Sequence, residues 1–118
     1  MAHIRISLIF DSGARIGPGK IAPLESVRDS GSISAAARAM EMDYKRAWTL
    51  IDSLNQTFDR PLVERTTGGP GGGGAVLTPF GAVVLARYRR IEQESARLGA
   101  ADLKALRRRA LPEAGPKV

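Results

Sequence analysis

The sequence predicts a mainly α fold with a small β component. Three observations predict it. Residues 31–58 read GSISAAARAMEMDYKRAWTLIDSLNQTF, two stretches of helical period parted by a short break. Residues 62–77 hold two short strand-like runs around a glycine-rich stretch, the signature of a hairpin. Beyond Thr78-Pro79 the apolar residues recur at helical spacing to the end of the patterned chain.

At the N-terminus, residues 4–10 (IRISLIF) alternate apolar and polar at first, and their β-branched side chains favour a strand. Asp11-Ser12-Gly13 is a turn, and Ala14-Arg15-Ile16 returns as a short second strand. Gly17-Pro18-Gly19 breaks the pattern. A helix is expected over 20–29, burying Ile21, Leu24, Val27 and Ala22, with Pro23 in its first turn, where a missing N–H does no harm. Ser30-Gly31 ends it. The next helix is expected to be capped by Ser34, whose hydroxyl can accept a bond from a free backbone N–H. Its alanines, residues 35–37 and 39, favour helix and let a neighbour approach closely. Glu41-Met42 is the turn. Asp43 is a good N-cap for a second helix, where its charge also suits the helix dipole. Along that helix Ala47, Leu50, Ile51, Leu54 and Phe58 share one face. Lys45, Arg46, Thr49, Asp52, Ser53 and Gln56 fall on others. A helix that opens with two cations and continues with small hydrogen-bonding side chains suits a major groove. An alanine-rich hairpin with a solvated basic face is the plainer reading of the same stretch.

After the connector Asp59-Arg60-Pro61, residues 62–65 (LVER) and 75–77 (AVL) read as strands flanking the glycines. A phosphate-binding loop would need Gly-Lys-Ser/Thr opening a helix, and that context is missing. A flexible linker is the simpler alternative. The close flanking strands favour a wing, where glycine lets backbone N–H groups approach phosphates. Thr78 then caps a helix with Pro79 at its first position.

Bulk properties narrow the partners. A length of 118 residues suits one domain with an appended dimerisation arm, and 43% hydrophobic residues suffice for a core. The net charge of +6 favours a polyanionic partner without choosing among DNA, RNA and acidic membranes. Cysteine is absent, so disulfides and thiolate metal sites are excluded, and no metal or cofactor is expected. The single histidine, His3, has no carboxylate partner in a recognisable motif, so no enzyme is expected. Aromatics make up only 5%, with Trp48 and Tyr88 read as packing residues, which weakens single-strand RNA binding. Arg5, Asp11 and Arg15 interrupt any signal-peptide core, and no apolar run approaches the ~20 residues that span a bilayer. The expectation is a cytoplasmic protein with no membrane partner.

The order of elements and several of their words make a resemblance specific. Gly31-Ser32-Ile33-Ser34, Tyr44-Lys45-Arg46-Ala47-Trp48, Leu62-Val63-Glu64-Arg65, Thr67-Gly68-Gly69, the run from Gly71 through Thr78, and Phe80-Gly81 resemble the N-terminal DNA-binding domain of ModE-type molybdate-responsive regulators. The resemblance runs from about Ile4 into the C-terminal helix. It implies a winged helix-turn-helix fold, related to LysR-type domains, that binds double-stranded operator DNA as a homodimer. It places Ser34, Tyr44, Lys45, Arg46 and Thr49 against DNA, together with wing residues Arg65, Thr66, Thr67, Gly69, Gly71 and Gly72. Lys45, Arg46 and Thr49 are the expected base readers; Ser34 and the wing hold phosphates.

The family continues into molybdate-binding domains, whereas this chain ends at Val118. Ser95-Ala96-Arg97 echoes the middle of a motif from that ligand domain, but Leu98 follows and the setting is helical. Direct molybdate binding by this chain is therefore not expected. Val84, Tyr88, Ile91, Ser95 and Leu98 alternate spacings of four and three, as a dimer seam would. A helix folded back on its own domain has the same pattern over two heptads; the dimer is preferred. Gly99 is expected to end or kink that helix, with another turn or two over 101–111. The organisation expected is 1–80 as the DNA-binding domain, 81–111 as the dimerisation region and 112–118 as a flexible tail. The alternative function is a truncated interaction module that heterodimerises with a full-length regulator.

Overall fold

The computed structural model describes residues 2–67 and 73–112. Along them run β1 (Leu8–Ile9), β2 (Arg15–Ile16), α1 (Pro18–Ser30), α2 (Ile33–Ala39), α3 (Tyr44–Thr57), β3 (Val63–Thr66), β4 (Gly74–Leu77) and α4 (Pro79–Arg109). This is a mainly α winged helix-turn-helix with a long C-terminal helix. Of the expected tail, 112–118, all but Pro112 lies outside the described residues.

The N-terminal strand is far shorter than the alternation predicts. Only Leu8 and Ile9 pair with β2, antiparallel, around a turn in which Gly13 takes φ +91°. The alternation of burial nonetheless persists: Ile4, Ile6, Leu8 and Phe10 are half-buried, while Arg5, Ser7 and Ile9 are exposed. The reason is the neighbour. Residues 4–6 lie along α4, which has no free backbone edge with which to extend a ladder. Instead the Tyr88 hydroxyl donates to the Ile6 carbonyl at 2.9 Å. Ile4 sits against Gly99, where an added Cβ would come within 2.9 Å of its Cδ1.

Helix α1 begins at Pro18, two residues before the expected start. Pro18 is thus the first-turn proline, and Pro23 lies a turn further in, fully buried. Ala22, expected in the core, is exposed. Gly31 ends α1 in the left-handed region at φ +83°, its N–H bonded to the Val27 carbonyl at 2.9 Å. The carbonyl of Gly31 in turn accepts from Ala75 at 2.8 Å, which ties the hairpin to the end of α1.

The cap of α2 is Ser32, not Ser34. Ser32 is extended and its Oγ accepts from the Ala35 N–H at 2.9 Å, whereas Ser34 already lies inside the helix. Ala36, Ala37 and Ala47 are buried where α2 meets α3, so small side chains set the close approach. The turn falls at Met40–Glu41, one residue earlier than expected, with Glu41 at φ +53°. Asp43 caps α3 as expected, accepting from Arg46 N–H at 2.8 Å. Ala47, Ile51 and Leu54 face the core. Phe58 lies just past the helix, its ring edge-on to both Phe10 and Phe80 at 5.5 Å.

Strands β3 and β4 pair antiparallel in the register Val63↔Leu77 to Thr66↔Gly74. Thr78 caps α4, accepting from Gly81 N–H at 2.9 Å and donating to the Pro61 carbonyl at 2.8 Å. Gly81 lies so close to the Leu62 carbonyl that a Cβ has no room. Helix α4 then runs 31 residues, straight through Gly99. Alanine, leucine and lysine follow that glycine, and their helix propensity outweighs its ~1 kcal/mol cost. Leu85 and Tyr88 are buried with α1–α3, so the core does not stop at residue 80. Arg89 joins the two parts outside that core. It is paired with Glu25 of α1 and, at 2.8 Å, with Glu92, and these bonds hold its guanidinium pKa above the ordinary value.

Candidate nucleic-acid interface

The site starts with the N-terminal half of α3. Its core face is covered, and Tyr44, Lys45, Arg46 and Thr49 all stand exposed. Lys45, Arg46 and Thr49 line a shallow recess of about 360 Å3 with Asp43 and Leu50. The Thr49 hydroxyl donates to the Lys45 carbonyl at 2.9 Å, which leaves its oxygen free to accept and its methyl free to make apolar contact. Trp48, expected in packing, is 39% exposed. Four residues from Tyr44, it belongs to the same side of α3.

The wing lies beside this helix. Arg65 Nη2 donates to the Tyr44 hydroxyl at 3.2 Å, a direct tie between β3 and α3. A recess of about 570 Å3 opens there, lined by Ser34, Arg38, Tyr44, Arg65, Thr66 and Thr67 among others. Among the described residues it gathers two guanidinium groups and several hydroxyls and no carboxylate. Ser34, freed from capping, lines this recess with Arg38 and Arg65. Thr66 also steadies the hairpin, its Oγ1 accepting from Gly74 N–H at 3.2 Å. Gly69, Gly71 and Gly72 lie outside the described residues.

Two residues of the site were not among those expected. Arg38 stands one helical turn beyond Ser34 and lines the same recess; its i+4 spacing was the available signal. Asn55 fixes the hairpin to α3. Its Oδ1 accepts from Leu62 and Val63 N–H groups at 2.8 and 3.1 Å, and its Nδ2 donates to the Val63 carbonyl at 3.1 Å. Only its place on the half-buried side of the helix hints at this.

The expected dimer seam divides. Ile91 is 43% and Leu98 72% exposed, and with Ser95 they line a groove of about 400 Å3. Val84 is half-buried against the core. Tyr88 does not belong with them. It is 1% exposed, and burial raises the pKa of its phenol.

A helix pair whose second helix is exposed, joined to a two-stranded hairpin and surrounded by cations, defines a winged helix-turn-helix DNA-binding protein. Residues 20–82 match the bacterial regulatory helix-turn-helix proteins of the lysR family, and the chain belongs to that family, with a DNA-binding domain of the ModE type. It is 44% identical over 87 residues to the molybdenum-pterin-binding protein MopB of Rhodobacter capsulatus, covering 74% of this chain and 32% of that one. It is 41% identical over 90 residues to the molybdenum transport protein ModE of Azotobacter vinelandii, covering 76% and 33%. With the DNA-binding transcriptional dual regulator ModE of Escherichia coli K12 it shares 40% identity over 92 residues, covering 78% and 35%. The chain therefore spans about a third of the length of these relatives, and over that part it has the domain of a DNA-binding transcriptional regulator.

Proposed function

We propose that the chain binds operator DNA as a homodimer in the cytoplasm, with the start of α3 in the major groove and the wing on the sugar-phosphate backbone. The observation that carries this is the tie between Tyr44 and Arg65 beside an exposed Lys45, Arg46 and Thr49. One surface then presents groove-sized helix and cationic wing together. Lys45 and Thr49 meet base edges, and Arg46 stands between bases and backbone. Ser34, Arg38, Arg65, Thr66 and Thr67 grip phosphate, with the wing glycines Gly69, Gly71 and Gly72 approaching it through their backbone. The apolar strip Ile91–Leu98 on α4 joins the two protomers.

Molybdate has no part in binding by these residues. Selective capture of a free oxyanion needs converging donors in a closed pocket. Along the cationic recess at the wing, Ser34, Arg38, Tyr44, Arg65, Thr66 and Thr67 are all exposed to solvent rather than enclosed. Selection of duplexes from a random-sequence pool by the purified chain tests the reading. A defined consensus with two half-sites is expected, with affinity indifferent to molybdate at constant ionic strength. Failure to enrich any duplex would overturn it. Binding that appears only after mixing with a full-length relative would favour the heterodimeric module instead.

A further inference from the structure

A second cationic recess lies on the other flank of α3. It measures about 590 Å3 and is lined by Arg5, Arg15, Lys20 and Arg46, with Ser7 and Leu50 among its other walls. These cations come from four separate elements of the chain: the N-terminal segment, β2, α1 and α3. Among the described residues no carboxylate lines the recess, and none of the four cations forms an ion pair. Like charges gathered without counter-charge repel one another, and the fold nonetheless holds them together. Lys20 is held in place by a bond from its Nζ to Ser53 Oγ at 2.8 Å, which anchors it to α3. Helix α1 opens on the same recess at Gly17 with no side-chain cap, so its positive end adds to the field.

The placement says what the recess meets. Arg46 and Leu50 line both this recess and the shallow one at Lys45 and Thr49. The wing recess, with Arg38, Arg65 and Tyr44, adjoins α3 elsewhere. A major groove is bordered by two phosphate strands, and a helix lying in it needs a grip on each. We propose that Arg5, Arg15 and Lys20, with Arg46 at the rim, form a second backbone clamp. It takes phosphodiesters of the duplex that the wing does not hold. This rests on the reading of α3 as the groove helix and extends the interface to a segment before the helix-turn-helix.

The test uses the purified chain, a duplex it selects from a random pool, and a scrambled duplex of equal length. Arg5→Gln/Arg15→Gln should flatten the slope of log affinity against log salt by about two per bound protomer on both duplexes. The preference for the selected duplex should not change. Neutral methylphosphonates placed singly outside the selected bases should identify linkages whose neutralisation weakens the wild type but not the double variant. An unchanged salt slope overturns the clamp, and so does a loss of base preference. Tight stoichiometric binding of inorganic phosphate or molybdate that the double variant loses would overturn it too, by making the recess a small-oxyanion pocket. If the wild type selects no duplex, the groove-helix reading fails and the clamp falls with it. A wild type that selects normally beside an unaltered double variant removes the clamp alone.

Discussion

Lys45 and Arg46 are neighbours in the sequence with different surroundings. Lys45 shares its recess with Thr49, whereas Arg46 also borders the cations of the N-terminal flank. Lys45→Ala is therefore expected to relax preference at one base position, at a cost of about 1–3 kcal/mol. Arg46→Ala should weaken all sequences and flatten the salt slope by about one per bound protomer. Titrations of the selected duplex and its single-base variants at several salt concentrations check both; unaltered affinity and slope in the two variants would displace the docking face from α3. Tyr88 is the other telling residue. It is buried and donates to the Ile6 carbonyl. Tyr88→Phe leaves that acceptor without its partner, which should cost about 1 kcal/mol in denaturant unfolding. The pH dependence follows from the direction of its shift. Burial raises the phenol's pKa in the fold, so its contribution is full below the unfolded value near 10 and is lost as pH rises through the folded value. The wild type should lose stability in that alkaline window relative to Tyr88→Phe, a difference visible in paired unfolding curves.

Among the elements, α4 makes a close backbone approach to the residue just before β3. Gly81 rests on the Leu62 carbonyl, and Thr78 and Asn55 bind the backbone on either side. Gly81→Ala should be destabilising by several kcal/mol, since backbone must move to admit a methyl, even though alanine is the better helix former. Thermal unfolding is the measurement; a melting point raised by the substitution would show that the two elements can separate freely. Elements of this kind are legible in the sequence because their signals are local. Asp43, Thr78-Pro79 and the Gly31 terminus act within a few residues of themselves. The cap of α2 lies two residues from its expected place because Ser32 and Ser34 carry the same chemistry, and only the backbone angles of Ser32 decide between them. Tyr88 departs from expectation for a subtler reason. Over two heptads a dimer seam and a core-facing stripe share positions, and contact with α1–α3 settles which one a residue joins. The N-terminal recess is not legible at all, since Arg5, Arg15, Lys20 and Arg46 meet only through tertiary packing.

At the scale of the whole molecule, the long axis measures 56 Å, and α4 supplies most of it, since 31 residues of helix span about 46 Å. If Ile91 and Leu98 join two such molecules, Ile91→Glu should convert dimer to monomer and weaken binding to duplexes with two half-sites. Those half-sites should lie one helical turn apart or a multiple of it. Sedimentation of both proteins decides: a wild type that stays monomeric at high concentration, or a dimeric Ile91→Glu, removes the seam. Finally, residues 4–7 face two ways. Ile4 and Ile6 address α4, while Arg5 and Ser7 line the recess beside α3. A backbone of period two divides the work between alternate positions. One extra codon after Ser7 would therefore exchange the two faces, turning isoleucines toward the cations and an arginine toward Gly99. Two extra codons would restore the faces but slide them by about 7 Å. The opening residues of this chain thus tolerate replacement far better than insertion, and a library of single-codon insertions should show its sharpest intolerance there.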